Sequence, residues 1–302
     1  MSDIRTPVPP APGRPRRRGA VVVVTLAALA VAAVVAVAAI LLERNRIMPD
    51  VAEPGATGPG ATAPLATTAP TADELTAAGH ARVLFGHQSV GDNILGGIAA
   101  VYEQAGVTPP QIVETREPVT GGDGFIAHTY VGANGDPMGK LDDFVALTKG
   151  PLGDGVDVLL VKFCYVDVTA STDVQALFDG YVAAMDQIQA AHPGTVVLYT
   201  TVPLTADRSG GVTAMVKSLL GRGATDVADN TARAQYNALV RERFGETGRL
   251  FDIAAVEAAP GSDPAALDPE LTWDGGHLNE AGAQAAAREL LRVVAATITP
   301  AG

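Results

Sequence analysis

From about Thr71 onward, short apolar runs alternate with stretches of helical spacing, and that alternation constrains the fold more than any other feature of the chain. Strand-like runs fall at 82–85, 111–114, 156–164, 195–201 and 249–253. Helical patterns fall at 94–104, 138–148, 174–191, 229–244 and 280–297. Runs without a polar break, such as 158–161 and 196–199, suit strands covered by helices on both faces. Regular β-α alternation with right-handed crossovers predicts an α/β domain, a three-layer α/β/α sandwich around a parallel sheet of about five strands. Ligands of such sheets lie beyond the carboxyl ends of the strands, so chemistry is expected in the loops at that edge. Lys162, inside the apolar run 158–164, needs a polar partner that the sequence does not reveal.

The first 72 residues are of another kind. Residues 1–19 are polar, proline-rich and basic, whereas 20–42 are 23 residues without a charge, with Thr25 the only polar side chain. As a helix that length crosses about 30 Å of hydrocarbon. A cleavable signal peptide needs a shorter core followed by a small-residue site, so the block reads as an uncleaved anchor. Arg14, Arg16, Arg17 and Arg18 before it outnumber Arg44 and Arg46 after it. That bias places the N-terminus in the cytoplasm and the rest of the chain outside. Residues 43–72, rich in Pro, Ala, Thr and Gly, lack hydrophobic periodicity and read as a disordered tether. The expected organisation is a basic cytoplasmic tail (1–19), a transmembrane anchor (20–42), a linker (43–72) and a catalytic domain (73–302).

Charge is divided unevenly along the chain. Residues 1–50 hold 7 of the 21 Lys and Arg and 3 of the 33 Asp and Glu, leaving a net charge of −16 on the remainder. Such a surface repels phosphate backbones and argues against nucleic-acid binding. Cys164, the one cysteine, has no partner for an internal disulfide. Its apolar surroundings suit a buried, inert thiol.

One serine stands out by position. Ser89 follows the run 82–85 and precedes Ile94, Leu95, Ile98 and Tyr102, which recur at helical spacing, with Gly86 and Gly91 on either side. A strand-to-helix turn projects the hydroxyl above the carboxyl edge of the sheet, and the unpaired N–H groups of the helix start face the same way. On its own, a serine there is more often a helix cap. Near the other end stands Trp273-Asp-Gly-Gly-His277, followed by an alanine-rich helix. A short glycine loop lets Asp274 meet one imidazole nitrogen of His277 and leaves the other for a serine hydroxyl, which attacks only once its proton is accepted.

Taken together, these blocks resemble the SGNH/GDSL hydrolase superfamily over roughly residues 80–298. The Asp-Gly-Gly-His-Leu-Asn-x-x-Gly segment from Asp274 to Gly282 is similar to the family's last block. The segments 201–204 and 250–253 resemble its fourth and fifth strand ends, and 237–244 the helix between them. The resemblance implies a flavodoxin-like sandwich and a triad of Ser89, His277 and Asp274. It also implies hydrolysis of small acyl esters, with O-acetyl groups on extracellular or cell-wall glycans as one substrate class.

Two blocks depart from the family pattern. The first reads His87-Gln88-Ser89 where the family has Gly-Asp-Ser. The third has Asp167 where the family has an oxyanion-binding asparagine, and an ionised aspartate cannot take that role. The loop 130–137 offers substitutes, so the expected oxyanion hole is the N–H of Ser89, the N–H of Gly132 and the side chain of Asn134. An Asn-Gly pair is equally a plain turn. His87 and Asp167 are expected to line the pocket. No cofactor is expected, and no metal: a zinc site from His87, His128 and His277 lacks any H-x-x-E-H or H-E-x-x-H pattern. His80 and His192 read as surface or helix-end residues. Two rivals to the esterase stay open, an acyltransferase with the same triad and a glycan- or partner-binding domain without catalysis.

Overall fold

The computed structural model describes residues 68–207 and 225–298. The predicted tail (1–19), anchor (20–42) and most of the linker lie outside the described residues. Among the described residues no helix is long and apolar enough to cross a membrane.

The order of elements is α1 (Ala72–His80), β1 (Arg82–His87), α2 (Ser89–Ala105), β2 (Gln111–Glu114), β3 (Phe125–Tyr130), α3 (Pro137–Thr148), β4 (Val158–Val161), α4 (Val174–Ala191), β5 (Val196–Val197), β6 (Tyr199–Thr200), α5 (Thr225–Phe244), β7 (Leu250–Phe251), α6 (Ile253–Glu257) and α7 (Glu280–Ile298). Five strands form a parallel sheet in the order β2-β3-β1-β4-β5, and β6 pairs with β7 in parallel beside it. One extended run links the two sheets. β5 pairs with β4, Leu198 N donates to Leu159 O at 2.9 Å, and β6 then turns to β7.

Alternate residues of each central strand enter different cores, as strands covered on both faces require. Val83, Phe85, Ile126, Val158 and Leu160 join a cluster with Leu75 of α1, Ile94 and Ile98 of α2, and Leu290 and Val294 of α7. Leu84, Phe125, Ala127, Leu159 and Val161 join another with Phe144 of α3, Leu177 and Tyr181 of α4, and Tyr236 and Val240 of α5. Helices therefore lie on both faces of the sheet. α2 and α7 approach so closely that a Cβ on Gly97 would stand 2.4 Å from Ala283 O.

Several elements differ from the expectations. β3 was not foreseen, and it is central, paired with both β1 and β2. His128 and Thr129 interrupt its apolar character, and three of the four residues before it are glycine. α1 was not foreseen either, although Thr71 and Glu74 close a capping box at its start. The run 156–164 is strand only over Val158–Val161 and ends in a 3₁₀ turn at Tyr165–Asp167. The run 249–253 stops at Phe251, because the Asp252 side chain accepts from Ala255 N and starts α6.

Candidate active site

Ser89 is the first residue of α2, directly beyond the end of β1. Its Oγ stands 2.9 Å from His277 Nε2, and His277 Nδ1 stands 2.7 Å from Asp274 Oδ2. An ionised carboxylate only accepts, so Nδ1 carries the proton, and Nε2 is left as the acceptor of the serine O–H. The three side chains meet in the order that activates a hydroxyl.

Local chemistry explains how a loop holds this geometry. Asp274 Oδ1 accepts the N–H of Gly276 at 2.9 Å and of His277 at 2.7 Å, folding the loop around the carboxylate. Thr272 Oγ1 accepts from Gly275 N and donates to His277 O. Ala206 N donates to Gly275 O, and Asn93 Oδ1 accepts from Leu278 N at 3.1 Å. The last contact ties the histidine loop to the helix that begins with Ser89. Burial opposes ionisation of Asp274, but the His277 and Gly276 N–H groups and the imidazole outweigh it and hold its pKa at about 2. The His277 ring meets the Tyr165 ring in a T-shaped contact, centroids 5.8 Å apart, and stacks with the Trp273 ring at 5.7 Å. Trp273 itself is 70% exposed.

The substitutes proposed for the missing asparagine are placed less simply. Gly132, at φ +52°, gives its N–H to Asp143 Oδ2 at 2.9 Å. That corrects its expected role, since the N–H is already taken by a carboxylate of the protein. Asn134 Oδ1 accepts from Lys140 Nζ at 2.9 Å, which leaves its amide N–H groups as the end available to a ligand. Gln88 Nε2 donates to Val131 O and Gly132 O, so this loop lies beside the residue preceding Ser89. Ser89 N–H, in the first turn of α2, has no intrahelical acceptor.

Asp167 was expected to line the pocket, yet it is a buried latch. It accepts Lys140 Nζ at 2.5 Å, Cys164 N at 2.6 Å and Gly135 N at 2.8 Å, joining the Asn134 loop to the end of β4. His87 is likewise fully buried. Its Nε2 lies 3.0 Å from His128 Nδ1, whereas His277 bonds Ser89, so the zinc trio considered above does not assemble. His87, Asp92 and His128 do offer ligand-type atoms within 4.8 Å of one another. Lys162 finds its partner in Phe163 O, at 3.0 Å. Sequence reasoning missed Asn93 and Thr272. The only signal for Asn93 was its spacing of four from Ser89, one helical turn along the same face.

No protein-family model matches this sequence, and no curated protein matches it. Solved structures do, at low identity. One from Streptococcus pneumonia, described as a candidate platelet activating factor, is 16% identical over 72% of this chain and 89% of that one, with a TM-score of 0.44. A candidate SGNH hydrolase from Slackia heliotrinireducens is 17% identical over 70% and 98%, with a TM-score of 0.42. A carbohydrate esterase family 3 structure from Talaromyces cellulolyticus is 13% identical over 69% and 92%, with a TM-score of 0.39. The chain is similar to SGNH-type and esterase structures, and the chemistry below rests on its own side chains.

Proposed function

We propose that the protein is a serine esterase of the SGNH type, acting on small acyl esters such as O-acetyl groups of glycans. The observation that carries this reading is the unbroken hydrogen-bond line from Ser89 Oγ through His277 to Asp274. Ser89 Oγ attacks the ester carbonyl as His277 Nε2 takes its proton, and Asp274 stabilises the imidazolium and holds its tautomer. The oxyanion is received by Ser89 N–H and the amide of Asn134. His277 then gives its proton to the leaving alcohol, and a water activated by the same nitrogen releases the acyl group. The apolar block 20–42 and the arginines before it support an anchored domain outside the cytoplasm.

The direct test is Ser89→Ala, read by p-nitrophenyl acetate hydrolysis and by covalent labelling with a fluorophosphonate. Both signals are expected to vanish. Turnover and labelling at wild-type rates in the variant would refute Ser89 as nucleophile, and transfer to a sugar hydroxyl in preference to water would make the enzyme an acyltransferase.

A further inference from the structure

His87 stands where the resemblance leads one to expect glycine, and it is a fully buried imidazole two residues from Ser89. Its Nδ1 lies 2.9 Å from Gln88 O. A carbonyl oxygen only accepts, so Nδ1 carries the proton, and in the neutral ring Nε2 is then a lone pair. His128 Nδ1, 3.0 Å from that lone pair, must be the donor. Gly91 N also donates to Gln88 O, at 2.7 Å. A Cβ on Gly91 would stand 2.3–2.4 Å from His87 ring and Cβ atoms, so glycine is what lets the imidazole and the helix turn share one carbonyl. Burial pushes the His87 pKa down to about 4 and that of His128 below its usual value, so both rings are neutral near pH 7.

That carbonyl belongs to the Gln88–Ser89 peptide. In a planar trans peptide the N–H points opposite to the C=O. Two donors clamping Gln88 O, one of them Gly91 N a turn into α2, therefore aim Ser89 N–H the opposite way, out of the N-terminal end of the helix. They also polarise the peptide, and hydrogen-bonded chains strengthen their terminal donor. We propose that His128 and His87 form a positioning relay, His128 fixing the tautomer of His87 and His87 orienting and polarising the Ser89 N–H that receives the oxyanion. Neither histidine touches substrate. The inference rests on the esterase reading for its kinetic consequence, but its hydrogen-bond geometry stands apart from that reading.

A metal ion on the same residues is less well served. Two nitrogens bound tetrahedrally to one zinc ion stand about 3.4 Å apart, wider than the 3.0 Å between His87 and His128. Asp92 is moreover engaged by the Tyr130 hydroxyl at 2.6 Å.

The experiment compares His128→Leu with His128→Asn in the whole chain. Leucine removes the donor, whereas asparagine places an amide nitrogen where Nδ1 stood. On p-nitrophenyl acetate, His128→Leu is expected to lower kcat about five- to tenfold with KM unchanged, a fraction of what deleting an oxyanion donor costs. His128→Asn should recover to within about twofold of wild type on the same grounds. Nitrogen-15 NMR of the imidazoles is expected to show His87 protonated at Nδ1 in the wild type, and the Ser89 amide proton should move upfield in His128→Leu. Wild-type kcat in His128→Leu would overturn the relay, as would a His87 proton on Nε2 or stoichiometric zinc in the purified protein. If Ser89→Ala shows that there is no esterase, the NMR readings decide the relay alone.

Discussion

Asp274 holds His277 twice, by Oδ2 on the ring Nδ1 at 2.7 Å and by Oδ1 on the backbone N–H of the same residue at 2.7 Å. The carboxylate thus fixes the imidazole and the peptide that carries it, and Asp274→Asn tests the two functions separately. Asparagine can keep the backbone bond but withdraws the charge that stabilises an imidazolium. A fall in kcat of about 10⁴-fold is expected, with the chain still folded and melting cooperatively. An activity loss below tenfold would remove Asp274 from the triad.

The pH behaviour of that carboxyl follows from its depressed pKa of about 2. A free aspartate titrates near about 4. The stability Asp274 contributes is therefore complete above about pH 4 and disappears as pH falls through its folded value. In an NMR titration the Asp274 carboxylate should still be ionised at about pH 3. A midpoint close to the free value would mean that the His277 and Gly276 N–H groups do not hold it in solution.

Lys140 and Asp167 are both fully buried side chains. Lys140→Met leaves the Asp167 anion with only backbone N–H partners, and stranding one member of a buried pair costs about 3–5 kcal/mol. Urea unfolding should show that loss, and adding Asp167→Asn to the same chain should recover part of it. kcat should fall as well, because Lys140 also holds Asn134 Oδ1. Unchanged stability in Lys140→Met would mean that the pair is open to water.

How much of this was legible in the sequence varies with the kind of physics involved. Apolar runs and helical spacing exposed α2, α3, α4, α5 and α7, because burial writes itself into periodicity. Ser89 and His277 are 188 positions apart, yet their meeting could be read. Residue chemistry and loop glycines marked each end. β3 was hidden because a central strand that carries His128 and Thr129 does not look apolar, although His128 has a buried partner in His87. The engagement of Gly132 N–H by Asp143 depends on a tertiary contact eleven residues away, and no local pattern encodes it. Lys162 looked anomalous for the same reason: its acceptor is a main-chain oxygen, which every sequence has and none displays.

Two glycines of α2 separate propensity from packing. Alanine is favoured over glycine within a helix by up to about 1 kcal/mol. At Gly96 an added Cβ meets nothing within 4 Å, so Gly96→Ala should raise stability. At Gly97 it would stand 2.4 Å from the Ala283 carbonyl, which belongs to the backbone of α7 and cannot rotate away. Overpacking of this kind costs about 1–3 kcal/mol, so Gly97→Ala should lower stability despite the same propensity gain. Thermal melts of the two variants moving in the same direction would mean that the α2–α7 contact is looser than the structure has it.

Glu257 offers a test at the far end of the same core. Its Oε2 accepts Leu204 N at 2.7 Å, while its buried Oε1 has no partner among the described residues. Burial pushes its pKa up to about 8, against the pull of the Leu204 N–H and the Lys162 charge. The folded protein therefore keeps a proton that the unfolded chain releases near about pH 4, and stability falls as pH rises from there toward the folded value. Lys162 works in the opposite sense, since burial lowers its pKa and folding then releases a proton. Glu257→Gln keeps an oxygen for Leu204 and cannot ionise, so it removes the falling component alone. Relative to wild type, the variant should gain stability at pH 8 compared with pH 5 in urea titrations. The segment held by Glu257 also positions the triad loop, through Ala206 N on Gly275 O, so esterase activity should survive better in the variant at the alkaline end. Equal pH slopes for variant and wild type would mean that Glu257 is already an anion in the folded protein, paired with a charged Lys162.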